Sequence, residues 1–159
     1  MRIESPAYRC YRSVDHPDGR PRSWEYASAL VRPIGICMLP VMIGALVAML
    51  EGLPALRYLT IGSPIAIGVA SVWTWIRVRD DVVEVCISTE KQGVSVLSRH
   101  DAASPRRPEA WTRLFNVETS DDGRVFLTAG HEEFRLEAHR FPDMDELLDD
   151  CLSVLYPPR

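Results

Sequence analysis

No glycine-rich phosphate loop and no dinucleotide fingerprint occurs anywhere in the 159 residues, so no nucleotide chemistry is expected. A concentrated basic face is missing as well. The formal net charge is -4, and Arg106 and Arg107 are the only adjacent basic pair in the C-terminal part. Nucleic-acid binding needs such a face, so no nucleic-acid partner is expected. Cysteine is sparse: Cys10, Cys37, Cys86 and Cys151 lie far apart, with no CxxC and no histidine at a metal-ligand spacing. This pattern predicts four reduced thiols, no metal and no cofactor, with Cys37 as a small apolar filler.

The most consequential absence is of charge. Residues 33–50 and 58–76 contain no Asp, Glu, Lys, Arg or His. At the helical rise each run spans ~27 to 29 Å, close to the hydrocarbon thickness of a bilayer. Arg32, Arg57 and Arg77 mark three of the four limits, and Trp24, Tyr26, Tyr58, Trp73 and Trp75 fall at interface depth. A transmembrane hairpin is predicted, with a helical lead-in from Ser23, so that residues 23–77 form one membrane unit. Pro40 and Pro64 should kink the helices. Gly62, Ala66, Ala70 and Thr74, with Gly44 and Ala48 opposite, should let the two backbones approach closely as an antiparallel pair. Arg20, Arg22, Arg32, Arg77 and Arg79 lie on the terminal side against Arg57 in the connector, which places both termini in the cytoplasm. No ionisable group lies within either run, so no proton or ion path is expected.

Residues 1–22 are rich in Arg, Pro, Asp and Ser and read as a loose cytoplasmic segment, with a short edge strand over residues 8–13 as an option. After the second run the period becomes two. Val83, Val85 and Ile87 alternate with Glu84, Cys86 and Ser88, and Val94 and Val96 repeat the pattern after a polar turn. Residues 99–108 follow as a polar loop. Trp111, Leu114 and Val117 step by three into a strand, Asp121-Asp122-Gly123 turns it, and two further strands lead to residue 138. Asp143 and Glu146 suggest a capping box for a helix whose apolar stripe is Met144, Leu147, Leu148, Cys151, Leu152 and Leu155. Asp145, Glu146, Asp149 and Asp150 lie opposite, and Pro157 and Pro158 stop the helix. The expected fold class is therefore α+β: a two-helix hairpin, then an antiparallel sheet over residues 78–159 closed by a C-terminal helix.

A Trp-led bend, an Asp-Asp-Gly hairpin, the basic-aromatic step Arg140-Phe141 and a helix from Asp143 together resemble the C-terminal domain of the bacterial YcxB-like family. The resemblance implies a pleckstrin-homology-like (PH-like) domain attached after two membrane helices, in the bacterial inner membrane. It implies no enzymatic activity, and fold alone never supplies function. Trp111 and Phe141 are expected as structural anchors.

The residues offer little chemistry. His100, Asp101 and Ser104 are too close in one loop to make a hydrolytic triad. His131-Glu132-Glu133 lacks the second histidine of a zinc-protease helix. The acidic residues 143–150 lack the alternating ligands and central glycine of a calcium loop, and suit a helix N-terminus instead. The expected function is a non-enzymatic regulatory or protein-interaction module, with an immunity-type protein as one version. Its partners would be the bilayer and a protein or a second copy, met through the hairpin, a sheet edge or the loop of Arg99, Arg106 and Arg107. The alternative is an anionic-lipid sensor at the cytoplasmic face.

Overall fold

The computed structural model describes residues 3–5, 8–104 and 110–156. They form two compact units: residues 20–80, and a second unit made of residues 1–19 together with 81–159. The expected division at residue 22 is thus corrected. The N-terminal segment is part of the sheet unit, and the helical hairpin is an insertion into it.

The inserted unit is two long helices, α1 (Arg22–Leu50) and α2 (Ala55–Asp80). Helix α1 begins after Pro21, whose extended backbone makes the transition without a side-chain cap, so Ser23 is inside the helix and does not cap it. Both prolines expected as kinks lie within helices. The small residues meet as expected: Ala45, Ala48, Ala66, Ala70 and Thr74 are buried. A Cβ on Gly62 would stand 2.7 Å from Val41 Cγ1, so only glycine allows the approach there. The Thr74 hydroxyl donates to the Ala70 carbonyl at 2.8 Å, which satisfies it within the helix.

Among the described residues, the sheet unit contains seven antiparallel strands in sequential order. They are β1 (Ile3–Ser5), β2 (Tyr8–Arg12), β3 (Val82–Ser88), β4 (Gly93–Ser98), β5 (Thr112–Thr119), β6 (Arg124–Ala129) and β7 (Glu132–Glu137). Strand β2 pairs with β3 from Arg9↔Ile87 to Arg12↔Glu84, so strands on either side of the hairpin in sequence are neighbours in space. Strands β4 and β5 share only the pairs Gly93↔Arg113 and Val94↔Thr112. A Cβ on Gly93 would lie 2.9 Å from the Thr112 carbonyl oxygen, so this narrow join between the two halves of the sheet requires glycine.

Two register shifts explain departures from simple alternation. One lies between Val82 and Glu84 in β3 and brings Val82 into one cluster with Val85 and Ile87, while Val83 is fully buried outside that cluster. The other lies between Leu114 and Asn116 and produces the three-residue step by which Leu114 and Val117 both reach the core. Helix α4 (Met144–Leu155) supplies Met144, Leu147 and Cys151 to the core, where they meet Tyr11, Leu127 and Leu136. Asp143 stands at its N-cap but makes no side-chain capping bond, so the expected capping box does not form.

Leu127 is fully buried at the centre of this cluster. Leu127→Ala should cost ~2 to 5 kcal/mol through lost burial and the cavity left behind. Urea unfolding of the full chain in mild detergent measures this, and a loss below ~1 kcal/mol would contradict the packing described.

Candidate functional site

The alternation of β2 sends Tyr11 to one face of the sheet and Cys10 and Arg12 to the other. The Tyr11 hydroxyl donates to Asp150 of α4 at 2.6 Å, and Arg9 reaches the same carboxylate at 2.9 Å. Asp150 therefore ties α4 to β2 and does not stand on the solvated helix face where the periodicity placed it.

The opposite face carries a buried polar cluster. Cys10 and Cys86 are cross-strand partners and form a disulfide across 76 residues of sequence, which corrects the expectation of four reduced thiols. Cys37 and Cys151 are free. Two pairs further along, Arg12 stands opposite Glu84, and its Nε donates to Glu84 Oε2 at 3.1 Å. The Glu84 side chain is only 1% exposed. Its Oε1 lies 3.5 Å from Cys86 Sγ. The chain leaving β2 folds back over residues 13–19, with Ser13 N–H donating to the Val83 carbonyl, and this delivers His16. The His16 side chain is 3% exposed, with Nε2 2.8 Å from Glu84 Oε2 and Nδ1 2.9 Å from Asp18 Oδ1. Ser88 and Ser95 are also buried.

A second cluster fastens the start of β3. Arg140, in the 3-10 turn Ala138–Arg140, makes a two-bond pair with Asp81, through Nη1 to Oδ1 and through Nη2 to Oδ2, the latter at 2.9 Å. Its Nε also donates to Asp15 at 3.0 Å. These bonds hold the guanidinium pKa above its ordinary value, with Asp81 the larger cause.

The residues singled out in the sequence fall apart. Arg99 opens the short helix α3 (Arg99–Ala102), half-buried, while Arg106 and Arg107 lie outside the described residues. Asp101 is used locally: Ser98 caps α3 by accepting from its N–H and donates its hydroxyl to the carboxylate at 2.8 Å. Phe141 is a core residue, as expected. Trp111 is not. It is half-buried outside the core, with Tyr8 edge-on at 5.8 Å between ring centroids and the Lys91 ammonium 4.8 Å from its own centroid. Strand β5 begins only after it, so the ring caps the sheet margin and does not enter the core. The hairpin holds a groove of about 600 Å³ lined by Pro40, Val41, Pro54, Arg57, Tyr58 and Gly62, with Arg57 the one charged group there. The Glu84 cluster was missed because no spacing in sequence relates Cys10, His16 and Glu84. The only signal was a glutamate alternating with valines at a strand start.

No family model, no curated protein and no solved structure matches the chain.

Two buried acids on the α4 side set an alkaline limit. Burial pushes the Cys151 thiol up to about 12, and burial followed by the bond to Asp150 raises the Tyr11 phenol. Both are neutral when protonated, and both hold their protons longer in the folded state. The stability they confer is complete below the ordinary thiol value of 9.0 and is lost as pH rises toward 12. Unfolding free energy measured across that window should fall with pH, and Tyr11→Phe should flatten the slope. An unchanged slope in the variant would exclude Tyr11 as a contributor.

Proposed function

We propose that the chain is an inner-membrane protein anchored by α1 and α2, with both termini cytoplasmic, whose sheet unit is a non-enzymatic, PH-like protein-interaction module. The observation that carries the anchor is the outward surface of the hairpin. Ile36, Leu39, Leu46, Ile61, Ile65 and Val72 are all about half or more exposed along helices long and apolar enough to cross a membrane. Leaving that much apolar surface in water is unfavourable at roughly 25 cal/mol per Å², whereas lipid covers it without cost. The arginines at the terminal ends support the orientation. The bent meander and its C-terminal helix support the PH-like reading.

The sheet unit supplies a surface suited to a protein partner. Phe115 is 57% exposed on β5, with the Arg113 guanidinium 5.9 Å from its ring centroid. Exposed aromatics flanked by cations favour an apolar side chain bordered by acidic groups. Arg99 is half-buried and already engaged, which disfavours it as a lipid-headgroup contact.

Photo-crosslinking from position 115 in the full chain, in native membranes, tests both parts. A membrane-fraction protein giving a discrete crosslinked protein band is the expected result. Recovery in the soluble fraction would remove the anchor, and adducts with lipid alone would favour lipid sensing over protein binding.

A further inference from the structure

We infer that Cys10, Cys86 and Glu84 form, when the disulfide is reduced, a binding site for a thiophilic divalent cation of the zinc class. The two sulfurs and a Glu84 carboxylate oxygen all lie within 4.8 Å of one another, and all three residues are buried. Strand register creates this closeness: Cys10 faces Cys86 directly, and Glu84 follows two residues away on the same face of β3.

His16 borders the carboxylate without joining the donor set. Its Nε2 lies 2.8 Å from Glu84 Oε2, and its Nδ1 meets Asp18, whose backbone N–H donates to it at 3.1 Å. Two thiolates and one carboxylate are ligands that zinc takes, with the fourth tetrahedral position left for water. Three anionic ligands around a divalent ion leave one net negative charge, and Arg12, already bonded to Glu84, neutralises it. Burying that charge without the guanidinium would be costly.

The disulfide is then the metal-free, oxidised form. A small-molecule disulfide oxidises the pair in two exchanges. One cysteine sulfur attacks it and expels a thiol, and the second cysteine sulfur attacks the mixed disulfide and expels another. The cysteines lose two electrons to the reagent, which leaves as two thiols. Any bound cation is released as both sulfur ligands disappear.

This site does not depend on the membrane reading, and cobalt(II) added to the full chain in mild detergent tests it. After reduction with a phosphine under anaerobic conditions, the chain should bind about one cobalt with thiolate-to-cobalt charge-transfer absorption. Zinc should displace it. The oxidised protein and the Cys10→Ser and Cys86→Ser variants should show no such absorption. Glu84→Gln, which keeps the side-chain volume and removes the carboxylate charge, should weaken binding about 10-fold or more while leaving the circular dichroism unchanged. A reduced protein that keeps its native spectrum but takes up no cobalt would overturn the inference. So would binding that survives loss of both cysteines, or affinity indifferent to Glu84→Gln.

Discussion

Everything in the sheet unit depends on the pairing of β2 with β3. These strands come from opposite sides of the helical insertion, and without their ladder residues 1–19 would have no place in the core. Tyr11 shows the dependence most directly. It is fully buried in the main cluster, and its hydroxyl is satisfied only because α4 presents Asp150. The pairing also returns both ends of the inserted hairpin to one unit, which a continuous C-terminal domain would not do. Three kinds of bond reinforce the seam: the backbone ladder, the Cys10–Cys86 cross-link and the Arg12–Glu84 ion pair. At its end, Arg140 gathers Asp15 from the N-terminal segment and Asp81 from the entry to β3.

Strand β3 is buried along its whole length, which is unusual for an antiparallel strand with an alternating sequence. Its two faces solve burial differently. Val82, Val85 and Ile87 enter an apolar cluster, where area removed from water supplies the stabilisation. Glu84, Cys86 and Ser88 occupy a face where each polar atom needs a partner, because desolvation of a carboxylate is costly unless it is paired. The return of residues 13–19 meets that need by bringing His16 to the same carboxylate as Arg12.

Much of this was legible wherever a local rule governs. The helical hairpin followed from missing charge, β3, β4, β6 and β7 from period two, and the face of α4 from its apolar stripe. What was not legible depended on distant partners. The segment of residues 8–12 has no marked apolar alternation, because only Tyr11 enters the core while Cys10 and Arg12 face a polar cluster. Asp150 reads as a solvated acid until Arg9 and Tyr11 arrive from the far end of the chain. Trp111 reads as a core anchor by size, yet its place before β5 sets it at the margin beside Tyr8 and Lys91. The register shift at Val82 is invisible to pattern counting, which groups Val83 and not Val82 with Val85 and Ile87.

The polar face also bears on why the chain keeps it. A buried carboxylate bonded to arginine, with histidine beside it, is seldom the most stable way to fill a sheet face, since well-packed apolar residues of similar volume often do as well or better. Its persistence beside a cross-strand cysteine pair calls for a role other than packing. The hairpin has no Asp, Glu, Lys, Arg or His in its apolar runs, and the α4 face of the sheet is a conventional core. Within the described residues, the seam between β2 and β3 is where a buried disulfide, carboxylate, imidazole and guanidinium converge. A change of oxidation state or of bound ion there would act on the same seam that carries residues 1–19 into the domain. The chemistry and the architecture of the sheet unit thus share one pair of strands.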